Sequence, residues 1–76
     1  MKNVVIYSST ACSVCKAAKN YFKENNIKFE ERNINKDKSH IDFMVENSYM
    51  SVPIIVIGDT KIVGFDKEKI KKELNK

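Results

Sequence analysis

Three features of the sequence predict an α/β chain of order β-α-β-α-β-β-α, a mixed four-stranded sheet flanked by helices. Apolar residues change period along the chain, from short continuous runs to helical spacing and back. Turn and cap residues stand at most of those changes. The length, 76 residues, fits one domain over residues 1–76, because domains commonly run from about 50 to 200 residues.

Val4 to Tyr7 is a continuous β-branched and aromatic run, the pattern of a buried strand. Ser8-Ser9-Thr10-Ala11 reads as a loop that carries the chain to Cys12. Val14, Ala17, Ala18, Tyr21 and Phe22 then fall at i, i+3, i+4, i+7 and i+8, one face of an amphipathic helix. It should end near Asn25-Asn26, since Asn tolerates the left-handed conformation of a helix exit. Ile27 to Ile34 reads as a second strand, and Asn35 to Ser39 as a polar turn with Asp37 or Ser39 as N-cap. Ile41, Met44, Val45 and Tyr49 return to helical spacing. Val52 to Ile57 is the most apolar strand, entered through Pro53 and stopped by Gly58-Asp59. A tight turn at Asp59-Thr60 leads into Lys61-Ile62-Val63, which makes these strands a hairpin. Gly64 ends it. Asp66 is a good N-cap for the last helix, with Phe65 and Ile70 spaced as a hydrophobic staple and Leu74 continuing the buried side.

A strand-helix-strand start implies a parallel pair, whereas the late hairpin must be antiparallel. The first cysteine then lies where a strand hands over to a helix.

A hydrophobic fraction of 42% with 32% charged describes an ordinary globular chain. No apolar run approaches the roughly 20 residues of a membrane span. Met1-Lys2-Asn3-Val4-Val5-Ile6-Tyr7 is too short and too quickly polar for a signal peptide, so the expected compartment is the cytoplasm. The net charge of +4 comes almost wholly from lysine, with Arg32 the single arginine. Nucleic-acid readers lean on arginine forks and exposed aromatics, so no nucleic-acid partner is expected. The basic stretch Lys67 to Lys76 reads as a solvated helix face.

Cys12 and Cys15 are the whole thiol inventory. A structural disulfide framework needs more bridges at wider spacing, and so small a loop gains little from closure. Zinc needs four ligands, and beyond this pair His40 is the one histidine, an exposed helix-start residue on this reading. No metal site is expected. A soft-metal chaperone is a competing reading of Cys-x-x-Cys, but it calls for a different element order and a chain that ends in a strand. The remaining chemistry is thiol–disulfide exchange, in which a thiolate attacks a disulfide sulfur. A helix N-terminus stabilises an anion, so Cys12 is placed to attack and Cys15, one turn inside, to resolve. Lys16 and Lys19 are solvated helix residues or electrostatic helpers of that thiolate.

Val5-Ile6-Tyr7 ahead of Cys12-Ser13-Val14-Cys15, then Ser51-Val52-Pro53, then Val63-Gly64-Phe65-Asp66 resemble the glutaredoxin branch of the thioredoxin fold. Cys15-Lys16-Ala17-Ala18-Lys19 and Gly64-Phe65 look more like the NrdH-redoxins and small glutaredoxin-like proteins. The resemblance implies a thioredoxin-like fold and a cytosolic dithiol oxidoreductase, with Cys12 nucleophilic and Cys15 resolving. Its substrate groove would be lined by Ser13, Val14, Val52, Pro53, Gly64, Phe65 and Asp66. It also implies a cis peptide at Pro53, which on residues alone is equally a trans proline opening a strand.

No bound cofactor is implied. Electrons would come from glutathione, or from NADPH through a thioredoxin reductase. The expected partners are disulfide-containing proteins, with glutathione as an alternative, and the chain is expected to be a monomer without membrane contact. As an NrdH-type redoxin it would feed ribonucleotide reductase. A soft-metal or iron–sulfur carrier is the reading from another class.

Several positions depart from the glutathione-using pattern. Ser9 stands where a Lys is common, Ser13-Val14 where Pro-Tyr is common, and Val63-Gly64 in place of Gly-Gly. Asp66-Lys67 stands in place of the Ser/Thr-Asp that holds the γ-glutamyl end, and Lys67 there would repel that ammonium group.

Overall fold

The computed structural model describes residues 3–75. Its elements are β1 (Val4–Ser8), α1 (Ser13–Glu24), β2 (Glu30–Asn33), α2 (Ser39–Glu46), β3 (Ile54–Ile57), β4 (Thr60–Val63) and α3 (Lys67–Leu74). The order matches the sequence expectation. The strands form one sheet, β2-β1-β3-β4. β1 runs parallel to β2 and antiparallel to β3, and β3 runs antiparallel to β4.

Strand alternation divides the core into two layers. Val4, Ile6, Ile55, Ile57 and Ile62 face one way and pack with Ala18 and Phe22 of α1 and Ile70 of α3. Tyr7 and Ile54 face the other way, against Met44 of α2, with Val5 and Val56 half-buried beside them. Fully burying each of these isoleucines contributes about 1.5–3 kcal/mol, so the three-isoleucine strand β3, buried between both layers, is the centre of the fold.

Several expectations need correction. β2 and β3 are shorter than the runs Ile27–Ile34 and Val52–Ile57. Ile27 and Phe29 precede β2 and pack on the first layer without joining a strand. The buried stripe of α1 is Cys15, Ala18 and Phe22, with Tyr21 half-buried. Val14 (49% exposed) and Ala17 lie outside it. Cysteine packs as a small apolar residue, and counting Cys15 as one rotates the stripe onto the observed face. In α2 the spacing fails similarly: Ile41 and Val45 are exposed, whereas Met44 is buried and Phe43 half-buried. The Tyr7 ring is the reason. Phe43 stacks on it with centroids 4.1 Å apart, and His40 meets it edge-on at 6.0 Å. His40 is therefore a half-buried packing residue, not an exposed one.

The helix ends follow the cap residues. α1 stops at Asn25, and Asn26 takes φ 56°. Asp66 caps α3 by accepting from the Lys69 N–H at 3.2 Å. Asp37 sits one residue ahead of a formal cap, yet its carboxylate accepts from the Ser39 backbone N–H and hydroxyl. Those bonds hold the Asp37 carboxyl below its ordinary value. Lys76 of the basic stretch lies outside the described residues. The rest of that stretch forms the charged face of α3, with Lys67, Lys69, Lys71 and Lys72 exposed.

Candidate active site

Strand register brings the sequence-predicted residues to one end of the sheet. Tyr7 pairs with Ile54, and Ile54 with Val63. The loop after β1, the turn before β3 and the turn after β4 therefore emerge side by side, carrying Cys12, Val52-Pro53 and Gly64-Phe65-Asp66 respectively. The Gly64 N–H donates to the Pro53 carbonyl at 2.8 Å, which fastens two of these segments. Gly64 has φ +84°, a conformation that glycine adopts without a Cβ clash, and it turns the chain from β4 toward α3. The Val52–Pro53 peptide is cis.

Cys12 is the N-cap of α1, in extended conformation, and its Sγ accepts from the Cys15 N–H at 3.1 Å. The two cysteines are joined as a disulfide, with Cα atoms 5.2 Å apart. Cys15 is fully buried, while Cys12 is half-exposed at the surface. The pair thus offers one reachable sulfur and one shielded sulfur, and the reachable one sits where unsatisfied helix N–H groups favour an anion. Ser13 and Val14 are exposed beside it, Val52, Gly64, Phe65 and Asp66 are half-buried, and Pro53 is buried.

Two supports beneath the cysteines carry no obvious motif. The loop carrying Cys12 is braced by asparagines: Thr10 N–H donates to Asn35 Oδ1 at 2.8 Å, and Asn33 Nδ2 donates to Thr10 Oγ1. Behind the loop, the fully buried Ser8 donates its hydroxyl to Glu31 Oε2 at 2.8 Å, and Lys19 Nζ reaches the same oxygen at 2.5 Å. The Lys19 contact, then the Ser8 bond, holds the Glu31 carboxyl below its ordinary value. Lys19 is therefore partnered by Glu31, one helical turn beyond Cys15, and is not a free helper of the Cys12 sulfur. For the first support the sequence carried a signal, Asn33-x-Asn35 in a polar turn; the second depends on which strands pair and carried none.

Exposed apolar side chains adjoin the cysteines and the two turns. Val14 is 49% exposed, Val63 56% and Met50, two residues before Val52, 98%. Sequence periodicity gave no reason to single out Met50 or Val63. A surface cleft of about 390 Å³ lies between β4 and α3, lined by Lys61, Val63, Lys69 and Lys72 among others, and contains neither cysteine nor Val52, Pro53, Gly64, Phe65 or Asp66. Among the described residues no three His, Cys, Asp or Glu side chains gather as a metal-ligating cluster. No helix among them is long and apolar enough to cross a membrane.

Comparison with known proteins agrees with this geometry. The glutaredoxin family model matches residues 4–62. A glutaredoxin-like 8.6 kDa protein of the Clostridium pasteurianum rubredoxin operon is 39% identical over 96% of this chain and 99% of its own length. The glutaredoxin-like protein NrdH of Lactococcus lactis is 29% identical over 91% of this chain and 96% of its own. Among solved structures, the thioredoxin-like protein BC3987 superposes with a TM-score of 0.85 and 26% identity, covering 93% of this chain and 99% of that one. The chain belongs to the glutaredoxin family, as a thiol–disulfide oxidoreductase built on the Cys12–Cys15 pair.

Proposed function

We propose that this oxidoreductase is a dithiol reductase of protein disulfides, recharged by a flavin-dependent thioredoxin reductase and not by glutathione. The observation that carries the choice of donor is Lys67. It is an exposed cation at the first position of α3, where the resemblance calls for the acid that would hold a γ-glutamyl ammonium group. The similarity to a protein named NrdH supports the same reading, and by that analogy ribonucleotide reductase is the client. The exposed Val14, Met50 and Val63 supply apolar surface for a protein partner.

In this mechanism the Cys12 thiolate attacks one sulfur of a client disulfide. The Cys12–client bond forms as the client bond breaks, and the second client sulfur leaves and takes up a proton. Cys15 then gives up its proton and attacks Cys12 Sγ. The Cys12–Cys15 disulfide forms, and the first client sulfur leaves and is protonated. Two electrons and two protons have passed to the client, and NADPH restores them through the reductase. Ser13, Val14, Val52, Pro53, Gly64, Phe65 and Asp66 line the groove in which the client chain lies, and the Val52 backbone offers it strand-like hydrogen bonds.

The test runs two donor systems in parallel on the oxidised protein, following NADPH loss. One holds glutathione with glutathione reductase, and the other holds thioredoxin reductase. Turnover with the flavin reductase alone is expected, and fast turnover with glutathione would overturn the choice of donor. Cys12→Ser should abolish turnover in both systems. Cys15→Ser should stall as a client mixed disulfide visible by mass spectrometry. A Cys12→Ser protein that still turns over would overturn the assignment of the two sulfurs.

A further inference from the structure

Lys67 occupies an electrostatically poor position. It is the first residue of α3, where the helix dipole presents its positive end, and it forms no ion pair among the described residues. What holds it is aromatic. Its Nζ lies 5.7 Å from the Phe65 ring centroid and 6.0 Å from that of Tyr21, and the two rings meet edge-to-face at 5.6 Å. Contacts at the outer limit of cation–π attraction restrict where the ammonium stands without using its N–H donors. The two contacts link Lys67 to Tyr21 of α1 and to Phe65 in the turn after β4, one of the turns at the Cys12 end of the sheet.

We propose that Lys67 selects clients by charge, favouring protein disulfides with a carboxylate side chain a few residues from the attacked sulfur. This deepens the dithiol reading above and rests on it. A client strand lying along Val52-Pro53 passes Phe65 and Asp66 next, and there it meets a positioned cation. An acidic side chain gains an ion pair, and a basic one meets like charge at a helix N-terminus. Tyr21 and Phe65 act as positioning residues for the ammonium.

The test uses three disulfide peptides of one sequence that differ only in having Glu, Gln or Lys three residues from the disulfide. Rates of reduction by the reduced protein are compared as ratios. For an exposed pair the Glu peptide should react about threefold faster than the Gln peptide and about tenfold faster than the Lys peptide at low salt. About 0.5 M salt should compress those ratios. Lys67→Gln should bring them within about twofold, and Lys67→Glu should reverse their order. Tyr21→Leu with Phe65→Leu should narrow the ratios while leaving Lys67 in place. An order unchanged in Lys67→Glu overturns the proposal. If the wild type reduces the Gln peptide but shows no order, the Lys67 assignment alone falls. If it reduces none of the three, the dithiol reading falls with it.

Discussion

α1 and α3 start at the same end of the sheet, each from an extended residue whose side chain accepts the N–H three residues on. At α1 the acceptor is Cys12 Sγ, 3.1 Å from Cys15 N; at α3 it is Asp66 Oδ1, 3.2 Å from Lys69 N. The geometry is the same and the atoms are not. A carboxylate is a strong, unreactive acceptor, so the Asp66 cap is structural. A sulfur is a weak acceptor as a disulfide and a strong one as a thiolate, so the same position at α1 serves reactivity first. The approach differs too. α3 is entered through Gly64, pinned to Pro53, whereas α1 is entered through the glycine-free Ser9-Thr10-Ala11 segment braced by Asn33 and Asn35.

The sharpest way to break this comparison is at Gly64. A Cβ there would meet nothing within 4 Å, so any cost of Gly64→Ala is backbone conformation at φ +84°. It should destabilise the fold by about 1–2 kcal/mol, read by denaturant melting, and should raise KM for a protein client because the turn adjoins the proposed client groove. A stability loss with KM unchanged would separate the α3 entry from the substrate groove.

Exchanging the two caps sharpens the contrast at a smaller scale. Asp66→Ala should cost about 1 kcal/mol in both redox states. Cys12→Ser, measured against the reduced wild type, should cost little stability, since serine is itself a good N-cap, while removing all turnover. A Cys12→Ser loss as large as that of Asp66→Ala would mean that the sulfur cap is structural after all.

The Asp66 cap and the place of Cys12 at a helix start were legible in the sequence, and so was most of the fold, because strand runs, helical spacing and cap residues agree along this chain. The element order, the parallel and antiparallel pairings, the hairpin and the entry of α3 follow from local chemistry. Burial on the helices was less legible, because it depends on what the sheet presents to them. Tyr7 draws His40 and Phe43 inward and leaves Ile41 and Val45 outside. Cys15, read as chemistry, also sits in the core stripe of α1. At the site, the cysteines and the two turns could be read because rare residues mark them. The Ser8–Glu31–Lys19 cluster could not, since it joins three common residues from three elements through parallel pairing.

That cluster gives the smallest and most specific prediction, because each capped helix is also laced to the sheet through a carboxylate. For α3 the lace is the Thr60 hydroxyl to Glu73 at 2.9 Å; for α1 it is the Lys19 ammonium to Glu31 of β2, whose carboxylate also accepts from Ser8 of β1. The Glu31 carboxyl is held below its ordinary value of 4.5 in the folded chain, so its contribution is present above about pH 4.5 and is lost as pH falls through the lower native value. Its side chain is 33% exposed, so solvent screening limits the contribution to about 0.5 kcal/mol. Glu31→Gln keeps an acceptor for the Ser8 hydroxyl and removes only the charge. The stability difference between wild type and variant should therefore be measurable at pH 7, shrink below pH 4.5, and shrink again at high salt. A difference as large at pH 3 as at pH 7 would assign the lace of α1 to shape, and the two helices would then be tied to the sheet in the same way.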